Sequence, residues 1–345
     1  MRSATTAGIG LAVGTALAAA AAIPSAYADE RLVFRMQSPA ITESSSLVVS
    51  TVDPSLAYTT NDSGDGPVVY IVDTATGSLV GRMTLEGVTA VDIEGLAGGQ
   101  DGTLIVADIG DNDAARKTVT VYRVPQPVAG ETVVAAEAVV LTYADGPRDA
   151  ESVLYDATSE RVYVVSKELV GASVYVSPPD VFAQARAPLQ PVADGPPVAT
   201  DATLLPGGDF AVVRMYASAA VYRFPSFEHV ADFGLPDMKL GESIAAPPDG
   251  GKVWVGTEGE RSPVLAVPLP PLPEPPARPS TPAPPSPGDT PSTTAPGSAD
   301  PSSPASDDSQ AGGRPSAQRL VGLSSGITLL LIVAVIGVVR RRRRT

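Results

Sequence analysis

The chain has 345 residues, no cysteine, a single histidine (His229), and 38 Asp+Glu against 24 Lys+Arg. That composition excludes disulfides, thiolate metal sites and cysteine nucleophiles. The formal charge of −14 also argues against nucleic acid as a partner, because phosphate binding needs the opposite sign.

Residues 1–28 read as a secretory signal peptide. Arg2 supplies the charged start, residues 8–23 are an apolar, alanine-rich core, and Ala26-Tyr27-Ala28 is a small-x-small cleavage site. Residues 29–267 then read as one all-β domain. Residues 31–37 alternate weakly, as an edge strand does, and precede the first copy of a repeat. That repeat is clearest at Asp92-Ile93-Glu94-Gly95-Leu96 and returns at Asp149-Ala150-Glu151-Ser152-Val153, Asp201-Ala202-Thr203-Leu204 and Gly241-Glu242-Ser243-Ile244, with a looser copy at Glu43-Ser44-Ser45. Each copy is followed by a turn, an apolar strand, a polar loop and a further strand. A period of roughly 40 to 57 residues is that of a β-propeller, in which each blade is one sheet around an axis. The expectation is a single propeller of five blades, with six as the alternative, closed by residues 31–37 beside 264–267. Residues 132–143 are expected to lengthen the second blade, and residues 180–187 to form a short irregular or helical excursion in the third.

After Val267 the composition changes. Residues 268–318 are Pro, Ser, Thr, Ala and Asp, too polar to bury a core, and read as an extended disordered stalk. Residues 319–339 contain an uncharged run, 320–339, of about 20 residues, enough to cross a bilayer as one helix. Residues 340–345 include five arginines, a cytoplasmic basic tail. Together these predict a single-pass cell-membrane protein with its N-terminal domain outside. The outer part keeps 18 Lys+Arg against all 38 acids, a net −20 that suits divalent cations or cationic ligands and also keeps a surface soluble. Gly322 and Gly326 have the spacing that lets two membrane helices approach, but nothing else bears on the oligomeric state.

A residue type repeated at the start of every unit forms a ring around a propeller axis. Here that ring is Glu43, Glu94, Glu151, Thr203 and Glu242, with Asp92, Asp149 and Asp201 two positions earlier on the same side of an extended segment. The following loops add Asn61, Asp62, Asp108, Asp111, Asn112, Lys167, Arg214 and Glu258. The expected result is an acidic funnel. Carboxylates and Asn without clustered histidines favour a hard cation such as Ca2+, with Glu94, Asp108, Asp111, Asn112 and Glu151 as its ligands. The competing reading is that these acids cap strand starts and turns. Catalysis has less support. There is no Gly-x-Ser-x-Gly elbow, and His229 sits in an expected exposed strand. Binding of a cell-surface or small-molecule ligand is favoured, with metal-dependent hydrolysis of an ester, lactone or phosphoester as the alternative.

Glu43-Ser44-Ser45, Asn61-Asp62-Ser63-Gly64, Asp92-Ile93-Glu94, Asp108-Ile109-Gly110-Asp111-Asn112, Asp149-Ala150-Glu151, Lys167 and Arg214-Met215-Tyr216 resemble a group of secreted or membrane-tethered bacterial β-propeller proteins, many of them actinobacterial. The resemblance covers about residues 43–267 and implies the fold, but carries no established activity. More distantly, Asp-x-Glu-Gly-Leu is similar to elements of esterase-like phytase and gluconolactonase propellers, which imply metal-dependent hydrolysis. This chain departs from both, with Thr203 in place of a Glu and no second basic cluster for a highly phosphorylated substrate.

Overall fold

The valine- and tyrosine-rich stretches become short antiparallel strands, because β-branched and aromatic side chains pack well on a pleated, half-buried surface. The computed structural model describes residues 31–62 and 64–274, which lie within one compact unit. The leader at 1–28, most of the stalk at 268–318, and the span and tail at 319–345 lie outside the described residues. Among the described residues no helix is long and apolar enough to cross a membrane.

β1 (Arg31–Arg35) precedes five strand groups. The first contains β2 (Ser44–Val49), β3 (Leu56–Asn61), β4 (Val68–Asp73) and β5 (Leu79–Leu85). The second contains β6 (Ile93–Gly98), β7 (Thr103–Asp108) and β8 (Val119–Pro125), and after β9 (Gly130–Val134) it regains β10 (Glu137–Tyr143). The third is β11 (Ala150–Asp156), β12 (Arg161–Ser166), β13 (Ser173–Val176) and β14 (Arg186–Asp194), and the fourth is β15 (Asp201–Leu204), β16 (Phe210–Arg214), β17 (Ser218–Arg223) and β18 (His229–Gly234). The last is β19 (Gly241–Ala245), β20 (Lys252–Thr257) and β21 (Pro263–Pro268), completed by β1. β1 runs antiparallel to β21, with Leu32 opposite Leu265 and Phe34 opposite Val264. Among the described residues the first strand therefore sits beside the last one.

The first strands of the five groups neighbour one another in the cyclic order β2, β6, β11, β15, β19 and back to β2. Each hydrophobic cluster draws on two consecutive groups. One joins Tyr58 and Ile71 to Leu104 and Val106, the next joins Ile105 and Val121 to Val153 and Tyr175, and the ring returns where Phe34 and Ala245 meet Leu47 and Tyr70. This is an all-β, propeller-like fold.

One expectation changes. Residues 132–143 do not form one strand lengthening the second group. β9 leaves it and pairs in parallel with β5, Met83 opposite Thr132, while only β10 stays beside β8. The alternation explains it: Val134 packs on the core between the first two groups while Glu131 and Val133 face out. Residues 180–187 hold one 3-10 turn, Val181–Ala183, and then enter β14. The first half of β14 pairs with β10 and the second with β13, so each half has one open edge that tolerates Pro188 and Pro191. That crossover fuses the second and third groups into one eight-stranded sheet.

Phe34 and Met36, both buried, tie the N-terminal segment to the last group. Phe34→Ala is expected to cost about 3–5 kcal/mol, read as a shift of a single cooperative denaturation transition. Deleting 31–37 should lower the melting temperature further; unchanged melting would show that β1 is not part of the stabilising ring.

Candidate functional site

The repeated acidic element lands at the N-terminal ends of the first strands. Four of these strands carry a β-bulge there. Ser44–Ser45 oppose Asn61, Ile93–Glu94 oppose Asp108, Ala150–Glu151 oppose Ser166, and the β19 ladder slips between Gly241 and Ile244 opposite Thr257. A bulge inserts one residue and re-aims its side chain. β15 has no bulge: Asp201 faces Arg214 and Ala202 faces Val213 in unbroken register.

This changes the expected ring. In the first group the residue in register with Glu94 and Glu151 is Ser45, and Glu43 aligns with Asp92 and Asp149. In the fourth group Thr203 lies two positions further along the strand, opposite Val212, and Asp201 occupies the ring level.

Asp62, Asp92 and Glu94 converge, each offering a carboxylate oxygen with all three oxygens within 4.8 Å of one another. All three residues are buried, Glu94 completely. The Ser45 hydroxyl donates to Glu94 Oε2 at 2.6 Å. Gly110 lies against the same carboxylates, and a Cβ built there would stand 2.6 Å from Asp92 Oδ2 and 2.7 Å from Glu94 Cγ. Only glycine lets the loop close over the pair.

Other candidates hold the loops. Asp108 accepts the Val91 and Asp92 N–H groups, each at 2.9 Å, and pairs with Arg116 at 2.9 Å. Asp111 accepts the Arg116 N–H at 2.6 Å, while Arg116 itself donates to Gly110 O at 2.7 Å. Asn112 is exposed. Asn61 repeats the Asp108 role, accepting the Thr42 and Glu43 N–H groups and donating to Ala40 O. Asp149 accepts the Asp111 N–H at 2.9 Å, tying this loop to the third group.

Beside them Glu151 forms a buried ion pair with Lys167, whose ammonium lies 5.4 Å from the Tyr216 ring centre. Glu242 is fully buried, and Glu258 half-buried. Arg214 is fully buried, donating to Ser243 O and Gly256 O at 2.6 and 2.8 Å, so it supports the bulged strand β19. Burial pushes its guanidinium down to about 10 against the opposing charges of Glu242 and Asp201. Gly241 admits this side chain, since a Cβ there would meet Arg214 Nη2. His229 is half exposed beside Asp232 on outer strand β18 and takes no part.

Asp201 turns inward. Its Oδ2 accepts the Ile244 N–H at 2.8 Å and the Leu47 N–H at 3.3 Å, and its Oδ1 accepts Ser46 Oγ–H at 3.0 Å and the Ala202 N–H at 2.9 Å. Ser46 Oγ in turn accepts the Leu96 N–H. Burial pushes the Asp201 carboxyl well above the usual carboxylate range, and these donors pull it back. Sequence reasoning missed Ser45, Ser46, Arg116 and Tyr216. For Ser46 a signal existed in the small residue that recurs at this level of every group: Ser46, Gly95, Ser152, Ala202, Ser243.

No protein-family profile and no curated protein sequence matches this chain. Among solved structures it is similar to a chain of Kuenenia stuttgartiensis hydrazine synthase at 14% identity and a TM-score of 0.37, over 63% of this chain and 56% of that one.

Two variants test the geometry. Gly110→Ala should cost about 1–3 kcal/mol, the usual result of overpacking, with an intact-protein circular dichroism spectrum. Asp201→Asn keeps the shape but loses one acceptor face, and should cost about 2–4 kcal/mol. Because the folded carboxyl keeps its proton to a higher pH than the unfolded chain, its contribution is full below about pH 4 and is lost as pH rises through the folded value. The gap in melting temperature between the native chain and Asp201→Asn is therefore widest near pH 4 and narrows toward neutrality. A gap that widens with pH would show that the donors outweigh burial.

Proposed function

We propose that the described region is a five-bladed β-propeller, closed by β1, that works as a ligand-binding module on the outer side of a cell membrane. A calcium ion held by Asp62, Asp92 and Glu94 forms part of its binding surface. The observation that carries this reading is the convergence of three buried carboxylates, Asp92 and Glu94 at the start of β6 and Asp62 just past the end of β3. Oxygens of three buried carboxylates this close together form an arrangement that a hard divalent cation can bridge. Oxygen donors without sulfur or imidazole suit calcium. Calcium takes six to eight oxygens, so positions beyond the three carboxylates fall to water or to oxygens of a bound ligand. The Glu151–Lys167 pair next to it offers an ammonium to an anionic group on that ligand. Anchoring through residues 320–339 and export through the leader rest on the sequence.

Calorimetric titration of calcium into the purified, chelator-treated chain is expected to give a dissociation constant of about 10⁻⁵–10⁻³ M. Saturating calcium at about 100 times that value should stabilise the fold by about 2.7 kcal/mol. Asp92→Asn and Glu94→Gln should abolish both effects. If calcium neither binds nor shifts melting, the cation reading falls. Turnover of a simple ester, lactone or phosphoester, lost in the same two variants, would replace binding with hydrolysis.

A further inference from the structure

The first strands all begin at the carboxylate end, so all five finish together at the opposite end, about 17 Å away for six residues of strand. There the ring opens into a cavity of about 110 Å³, lined at its wall by Val49, Ala97, Leu154, Thr203 and Ala246, one from or just after each first strand. A groove of about 580 Å³ continues from it between the turns of the third and fourth groups, sharing Gly98, Gln100, Tyr155 and Leu204 with the cavity and adding Phe224. The groove is mostly apolar, while the cavity wall mixes these aliphatic groups with Ser50, Thr51 and Gln100. A cavity of roughly 150 Å³ lined by Leu, Ile and Phe holds benzene, so the smaller volume here has room for a short alkyl chain.

Acids outnumber bases around the opening. In or bordering the turn between the first and second strands every group carries an aspartate: Asp53, Asp101, Asp156 (the last residue of β11), Asp209 and Asp249. Each stands within three residues of a cavity-lining position, Thr51, Gln100, Tyr155, Pro206 and Pro248 respectively. Several cap their own turns, Asp53 accepting the Ser55 N–H, Asp101 the Thr103 N–H and Asp156 the Thr158 N–H, which satisfies oxygens without cancelling charge. Lys252 lies against Asp249. An apolar socket inside a ring of carboxylates selects on two properties at once. An inorganic cation gains nothing from the socket, a neutral hydrocarbon gains nothing from the ring, and a carboxylate is repelled by it.

We propose that this end of the fold is a second binding site, for a small organic monocation: an ammonium group bearing a short apolar chain, the chain in the axial cavity and the charge at the aspartate ring. It is separate from the cation site and does not depend on it.

The probe is n-butylammonium, titrated calorimetrically into the purified full chain, with n-butanol and n-butyrate as neutral and anionic matches of the same length. Butylammonium is expected to bind with a roughly millimolar dissociation constant, the strength a ligand of this size reaches, and butyrate at least tenfold more weakly. Raising salt should weaken only the ammonium. Thr203→Leu fills the cavity and should abolish binding of all three. Asp101→Asn with Asp156→Asn keeps an acceptor for the Thr103 and Thr158 N–H groups and should weaken butylammonium several-fold while leaving butanol unchanged, so the charge half of the proposal is tested even if Thr203→Leu folds poorly. Equal affinity for butylammonium and butyrate, no binding of butylammonium at about 50 mM, or an ammonium affinity indifferent to the double variant would each overturn it.

Discussion

The structure depends on one carboxylate at its axis. A first strand in a ring of sheets has a hydrogen-bonding partner on its outer side and an open edge toward the centre. The N–H groups on that edge are buried, and unsatisfied buried donors are costly. Asp201 removes the cost for Leu47, Ala202 and Ile244, and through the Ser46 hydroxyl the same network takes in Leu96. Strands from four of the five groups are thereby joined through a single side chain. Its own burial opposes ionisation, so the fold holds this acid in place by surrounding it with donors.

The missing bulge in β15 is what makes this possible. Where the bulge is present, the extra residue is Ser45, Glu94, Glu151 or Glu242, and the acids among these are buried at the N-terminal ends of the first strands. Where it is absent, the acid lies in register with Arg214 and points across the centre. One local backbone choice therefore separates two placements of the same residue type: acids buried at the strand starts and an acid consumed by the framework at the centre. Arg214 follows the same logic from the cationic side, its guanidinium spent on the carbonyls of Ser243 and Gly256.

The two ends of the ring consequently differ in chemistry. At the N-terminal ends of the first strands, bulges and Gly110 allow carboxylates to crowd together. At the C-terminal ends, hairpin turns narrow the ring with aliphatic side chains and leave the charges on its rim. Between them five apolar interfaces supply the stability that a chain without cysteine cannot take from disulfides.

Much of this was legible in the residues. The recurrence of Asp92-Ile93-Glu94 at Asp149-Ala150-Glu151 and Gly241-Glu242-Ser243 placed the first strands, because the hydrophobic and turn pattern repeats with it. The last group lacks a fourth strand in sequence, and the weakly alternating 31–35 segment is the strand that fills the gap. Other features were not legible, since they depend on which backbone groups meet in space. Counting letters aligned Thr203 with Glu94, but the fourth group is one residue shorter at its bulge, a difference visible only once Ala202 is seen opposite Val213. Asp108 and Asp111 look like metal ligands in a one-dimensional string, yet nearby N–H groups and Arg116 take them up, while Asp62, thirty residues upstream of Asp92, arrives beside it by chain folding. The sequence by itself determined the strands, their turns and their repetition, because these follow from local pattern and side-chain preference. The tertiary structure alone decided which acids face each other, because that is settled by register and by competition among buried donors, neither of which is a property of any residue in isolation.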